Sequence, residues 1–298
     1  MTRRLGCKIP NAGPTPARLG IAAMASAAEE AGATSLWVPD HVVLMEEVES
    51  RYPYGENGLP RRADEDYFHP LITLAWMAAA TSTVELGTAV YILPQRNAVE
   101  VAKILSSIDA LSGGRVALGV GAGWCREEFE VLGADFRSRF RRLSEQLVVL
   151  RHLWRGDGEP FEGEFHTIPK GTYSLPKPAN PYGPPLLVGG MAAGPLERAA
   201  TLGDGWLAIV PDGSADLGEV ESALAQVLEL RRRAEIDRPF RTTVRLQVPA
   251  GADHREASRS GAARLFEMGF DEVIIDPGWR SIDDAQDVIA AVRSESLD

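Results

Sequence analysis

Eight short β-rich runs alternate with eight longer amphipathic stretches along these 298 residues, and that alternation constrains the fold more than any single motif. The β-rich runs lie near 4–9, 34–38, 84–91, 115–120, 185–190, 205–210, 241–248 and 272–276. The helical patterns fall near 16–31, 70–82, 97–112, 139–155, 195–203, 215–236, 254–268 and 281–294. Val116-Ala-Leu-Gly-Val120, Leu186-Leu-Val188 and Val273-Ile-Ile275 are continuously apolar, as parallel strands covered on both faces must be. Eight such β-α units predict an α/β protein, a TIM (β/α)8 barrel with insertions, formed as one domain over residues 1–298.

Local punctuation supports these boundaries. Thr15-Pro16 reads as a cap residue before a proline in the first helical position, and Gly32 as a left-handed helix terminator. Ser281 with Asp284 resembles a capping box. Two segments exceed ordinary connections. Residues 39–69 follow the second strand on the barrel's C-terminal face, where active-site loops grow, and read as a substrate lid. Residues 156–184, rich in proline, should open toward the N-terminal face and serve packing or subunit contact.

Charge narrows the function class. A net charge of −11 and a pI near 5.1 argue against nucleic-acid and anionic-membrane surfaces, which need a basic footprint. No apolar run has the length of a membrane span, and Met-Thr-Arg-Arg-Leu-Gly-Cys lacks a signal-peptide core, so a cytoplasmic enzyme of small-molecule chemistry is expected. Cys7 and Cys125 have no metal-type spacing and are expected to be free thiols.

Residues at the C-terminal ends of barrel strands face a shared mouth. Strand two ends in Trp37-Val-Pro-Asp40-His41, strand three in Leu86-Gly-Thr88-Ala-Val90, strand four in Gly121-Ala-Gly-Trp124 and strand five in Val188-Gly189-Gly190-Met191. The glycines at 119, 121 and 123 leave room for a flat ring or a phosphate to approach the backbone, or they make a plain tight turn. A histidine at such a mouth suits acid-base work, because its pKa lies near working pH. Asp40, one residue earlier on a pleated strand, should point away from His41 unless the chain bends there. His152 and His166 read as structural, and His69 and His254, although on the right face, as surface residues. Glu127, Glu128, Arg139 and Arg142 read as a helix-anchoring charge network without chemistry.

Taken in order, the motifs resemble the bacterial luciferase-like superfamily of flavin and deazaflavin oxidoreductases, especially its F420-dependent branch. The resemblance runs from about residue 18 to 210. It is carried by Ala28-Glu-Glu-Ala-Gly-Ala-Thr-Ser-Leu-Trp-Val-Pro-Asp-His41, by Leu86-Gly-Thr-Ala-Val90 with Leu93-Pro-Gln-Arg-Asn97, by Leu111-Ser-Gly-Gly-Arg115 through Trp124 with Glu127-Glu-Phe129, and by Arg198-Ala-Ala-Thr-Leu-Gly-Asp-Gly-Trp206.

The resemblance implies a ring-shaped redox cofactor at the C-terminal mouth, F420 or alternatively FMN. It also implies a bulge with a non-prolyl cis peptide at Ala89–Val90 behind one ring face. Thr88, Ala89, Val90, Gly121, Gly123 and Trp124 would line the ring, and Gly189, Gly190 and Met191 would cradle the phosphate-bearing tail at a helix N-terminus. Arg96 and Asn97 could add side-chain contacts. Asp40 and His41 would approach the reactive edge as the catalytic pair. Sugar-phosphate dehydrogenases of this superfamily carry a catalytic glutamate where Trp124 stands, which argues against that activity; the indole would stack on the ring or wall the pocket. The expected function is hydride transfer between deazaflavin and a small organic substrate. An FMN-dependent monooxygenase and a non-catalytic flavin-binding barrel are the alternatives, and relatives of this kind imply a homodimer.

Overall fold

The computed structural model describes residues 3–53, 62–210, 217–248 and 252–296. Eight parallel strands close into a barrel: β1 (Arg4–Lys8), β2 (Ser35–Val38), β3 (Glu85–Ile92), β4 (Val116–Gly121), β7 (Leu186–Gly189), β8 (Gly205–Val210), β9 (Arg241–Leu246) and β10 (Glu272–Ile275). Around the ring the order is β1-β10-β9-β8-β7-β4-β3-β2. β5 (Phe161–Glu162) and β6 (Thr167–Ile168) form a separate antiparallel hairpin. The helices are α1 (Pro14–Leu19), α2 (Ile21–Glu30), α3 (Pro70–Ala80), α4 (Ala98–Ser112), α5 (Arg126–Val131), α6 (Arg139–Arg155), α7 (Ala193–Leu202), α8 (Leu217–Arg233), α9 (His254–Met268) and α10 (Ile282–Ser296).

The barrel is covered on both faces, which explains the continuously apolar strands. Outward residues such as Leu5, Leu36, Leu86, Leu118, Val188 and Ile275 pack against the helices. Inward residues Trp37, Ala89, Ala117, Leu187, Leu207 and Ile274 form a second, smaller cluster inside the ring. Each fully buried leucine or isoleucine stabilises the fold by about 1.5–3 kcal/mol.

Helix ends follow the local chemistry. Asn97 caps α4 by accepting the Val99 N–H at 2.9 Å, and Asp253 caps α9 by accepting the Arg255 N–H at 2.9 Å. Asp284 N–H donates to Ser281 Oγ at 3.1 Å, the cap expected at α10. Two expectations need correction. The helical pattern over 16–31 is two helices, because Gly20 at φ 79° and ψ 127° interrupts it. Thr15 is not the cap, since α1 begins at Pro14 with Gly13 before it.

The 156–184 insertion packs along the outside of α6. Glu145 of that helix accepts the backbone N–H of Glu164 at 2.6 Å and of Phe165 at 2.9 Å. Among the described residues no helix is long and apolar enough to cross a membrane.

Candidate active site

The bulge expected in β3 is present. Its pairing with β4 shifts register between Thr88 and Tyr91, and the Ala89–Val90 peptide bond is cis. Past the bulge, the Val90 side chain leans over two neighbouring strands. A Cβ on Gly121 would stand 2.6 Å from Val90 Cγ2, and one on Gly189 would stand 2.7 Å from Val90 Cγ1. Both glycines are therefore small to admit Val90, which gives the mouth a smooth apolar floor. Gly119 is more constrained still, since its Cβ would lie 2.0 Å from the Thr88 carbonyl oxygen. Gly123, at φ 82°, turns the chain into α5.

This revises several expected cofactor contacts. Thr88 is fully buried with its hydroxyl donating to the Gly119 carbonyl at 2.8 Å, so it braces the bulge from the outer face. Gly121 and Gly189 are roofed by Val90. At Gly190 the N–H reaches the Leu207 carbonyl at 3.4 Å and the carbonyl accepts the Trp206 indole N–H at 2.8 Å. Gly190 therefore has no spare donor for a phosphate, and Met191 packs partly into the core. The remaining donors are the first N–H groups of α7, whose start has no side-chain cap.

Asp40 and His41 follow β2 and diverge. The Asp40 side chain is fully buried; one oxygen accepts the Ile92 N–H at 2.8 Å and the other pairs with Arg96 at 2.7 Å. Burial pushes this carboxyl above the ordinary carboxylate range, with Arg96 and the Ile92 N–H opposing. Asp40 thus tethers the turn after β3 and does not face the mouth, which corrects its expected catalytic place. Arg96 also donates to Gln95 Oε1 at 2.9 Å and lies 4.4 Å from the centre of the Tyr91 ring. Arg96 and Asn97 are therefore committed to the fold and not to a phosphate.

His41 turns toward α5 instead. Its Nδ1 lies 3.0 Å from Glu128 Oε2, which also accepts from Gln95 Nε2 at 3.0 Å, while Oε1 accepts the Val42 N–H at 2.7 Å. Burial raises the Glu128 pKa, but these donors outweigh it and hold the carboxyl below its ordinary value. An ionised carboxylate only accepts, so Nδ1 of His41 is the donor in this pair, and no described group hydrogen-bonds Nε2. The imidazole stands between the edges of Tyr67 and Trp124, with ring centroids 5.8 and 5.9 Å away. Trp124 is half-buried and also meets Tyr52 at 5.4 Å, so it serves as a wall.

Glu127 and Glu128 do not pair with Arg139 or Arg142, contrary to expectation. Glu127 Oε1 accepts the N–H groups of Glu49 at 2.8 Å and Ser50 at 3.1 Å. The two adjacent carboxylates thus strap the described part of the 39–69 segment at two points. Arg139 lies over the rings of Phe136 and Phe140, and Arg142 over Phe165. Glu128 is the site residue that sequence reasoning passed over.

Other candidates are settled by their partners. His152 and His166 bond the Glu159 carbonyl at 3.0 Å and Glu145 at 2.7 Å, in structural places as expected. His254 bonds the Asp276 carbonyl at 2.9 Å. His69 is half-buried beside Tyr91 and not at the surface, and desolvation lowers its pKa. Cys7 and Cys125 are free and buried. Burial pushes the Cys125 thiol up to about 11, with Glu127 adding to the effect.

Comparison with known proteins places this arrangement. The family model described as luciferase-like monooxygenase matches residues 8–283. An uncharacterised protein of Mycobacterium tuberculosis is 35% identical over 253 residues, 85% of this chain and 83% of its own. An F420-dependent glucose-6-phosphate dehydrogenase of Kineococcus radiotolerans is 32% identical over 225 residues, 73% of this chain and 61% of that protein. In fold, the chain is similar to the oxygenating constituent of a 3,6-diketocamphane monooxygenase from Pseudomonas putida, solved with FMN. The TM-score is 0.74 at 14% identity, over 100% of this chain and 98% of that one.

Proposed function

The chain belongs to the luciferase-like monooxygenase family, and from that premise we propose that it is an F420-dependent oxidoreductase moving a hydride between the deazaflavin and a small organic substrate. The observation that carries this reading is His41, with Nδ1 held by Glu128 and Nε2 without a hydrogen-bond partner among the described residues, at the same strand ends as the apolar Val90. The residues fit such a cofactor: Val90, seated against Gly121 and Gly189, offers a surface without projections, and the uncapped start of α7 offers donors to an anionic tail. When bound, the deazaflavin supplies the two-electron donor or acceptor for the hydride.

The chain's own part is proton handling and shelter. Nε2 of His41 accepts a proton from a substrate hydroxyl or amine when the substrate is oxidised, and returns it to the nascent group in the reverse direction. Glu128 fixes the tautomer and stabilises the imidazolium form, acting as a positioning residue. Tyr67 and Trp124 flank the ring and limit water around it. Asp40 and Arg96 hold β2 and β3 at a fixed spacing beneath. Support for F420 comes from the relative that uses it; the fold likeness to an FMN-bound oxygenase supports FMN as the second reading.

Titrating the purified protein with F420 and with FMN, followed by visible absorbance, tests the assignment. Saturable binding of F420 is expected. Binding of FMN alone moves the protein to the monooxygenase reading, and binding of neither removes both. On an identified substrate His41→Ala should lower kcat by roughly 10²-fold or more, in the range expected for a lost acid-base group; unchanged turnover would remove His41 from the mechanism.

A further inference from the structure

Two arginines stand on the inward face of β9, and they are treated differently. Arg241, at the N-terminal end of the barrel, is paired with Glu85 at 2.7 Å and faces Glu272 at 3.6 Å. Arg245, further along the same face toward the mouth, makes one side-chain hydrogen bond among the described residues, a long 3.4 Å contact from Nη1 to the Ala89 carbonyl. β9 and β3 lie opposite one another in the ring, so this guanidinium reaches across the barrel axis to the bulge beneath the mouth. The carboxylate in its field is Asp276, which is already joined to Lys8 at 2.6 Å.

A half-buried guanidinium with most of its fork unused, placed within a site of the proposed chemistry, is built to receive a planar oxyanion. Two parallel N–H···O bonds from one edge of the fork match the two coplanar oxygens of a carboxylate, whose single charge the one guanidinium balances. We propose that Arg245 is a specificity-determining residue that binds a carboxylate of the substrate, making the substrate a small organic acid. This assignment rests on the oxidoreductase reading for its meaning as substrate recognition, while the anion site itself belongs to the cofactor-free chain.

The test is a calorimetric titration of the cofactor-free protein with two isosteric pairs, benzoate against benzamide and isobutyrate against isobutyramide. The acids should bind saturably and at least tenfold more tightly than the amides. Arg245→Gln should remove that preference and Arg245→Lys should retain part of it, with circular dichroism confirming that each variant is folded. Equal binding of acid and amide to the unaltered protein overturns the proposal without reference to any variant. Acid binding that survives in Arg245→Gln overturns it as well, as does a variant that loses F420 or FMN affinity and keeps the acids. If neither cofactor binds the protein while the acid preference stands, the oxidoreductase reading fails and the anion site does not.

Discussion

At the N-terminal end of the barrel interior two arginines meet two glutamates: Arg4 lies 3.2 Å from Glu85, Arg241 bridges Glu85 and Glu272, and Glu272 also accepts from Thr243 at 3.1 Å and from the Trp37 indole at 3.2 Å. The Ser35 hydroxyl donates to the same carboxylate. At the C-terminal end, by contrast, groups of the same chemistry are held on one side only. His41 has Glu128 at Nδ1 and no described partner at Nε2, and Arg245 has a single long side-chain hydrogen bond among the described residues. One end is a network of mutually paired charges, in which Arg4 Nε and Arg241 Nη2 are the atoms left without a hydrogen bond, and the other keeps whole edges of its charged groups in reserve. Folding is served by the first arrangement and recognition by the second.

The largest effect should come from unbalancing the paired end. Arg241→Met leaves Glu272 fully buried without a cation, and removing one partner of a buried ion pair costs about 3–5 kcal/mol. Arg245→Met strands no carboxylate, since Asp276 keeps Lys8, and should change stability by less than about 1 kcal/mol. Urea unfolding of the two variants decides the matter; equal losses would erase the distinction between the ends.

Steric reserve at the open end should be smaller in energy and specific to ligand binding. Gly121→Ala places a methyl group against Val90 Cγ2 and should cost about 1–3 kcal/mol while roughening the floor. Cofactor affinity should fall, and the double variant with Val90→Ala should recover most of it in the same spectral titration. If the double variant binds no better than the single one, Val90 is not the floor.

Acid should loosen the mouth through its two carboxylate straps. Glu127 is desolvated, which raises its pKa, yet the donors of Ser50 and Glu49 bring it down to about 2, and Glu128 is likewise lowered. A folded pKa below the unfolded value of about 4.3 means that each strap is fully stabilising above that pH and is lost as pH falls through the folded value. Hydrogen-exchange protection at Val42, Glu49 and Ser50 should therefore be level from neutral pH down to the ordinary carboxylate range and decline toward pH ~2. A decline beginning near neutrality would show that these two carboxylates are not what holds the segment.

Least conspicuous is Cys125, a group at the open end that is nevertheless inert. With its pKa near 11, its alkylation by iodoacetamide at pH 8 should run roughly 10²-fold slower than that of a free thiol. Rapid labelling would show that the rim beside Trp124 is more open than its contacts imply.

The strands were legible because both of their faces are buried, so that apolar runs stand out against amphipathic helices. The same property hid their parity. With Thr88 and Ala89 both buried, nothing in the composition of β3 tells which of the two faces the axis, and it is Ala89 that does. Gly20 was lost inside a periodic pattern, and α5, at six residues, has no stripe to reveal it. Among site residues, His41 was visible at a strand end. Glu128 was not, since it meets His41 across 87 positions of sequence; the only local hint was a pair of glutamates just after a glycine turn. Arg245 sits in Arg241-Thr-Thr-Val-Arg-Leu246, where a polar residue inside the barrel looks like one on its surface.

The paired straps have a consequence for inheritance. Because α5 grips the chain at Val42 and again at Glu49 and Ser50, the stretch next to His41 is anchored at both ends, and a change at Glu127 or Glu128 alters the setting of the imidazole without touching the imidazole itself.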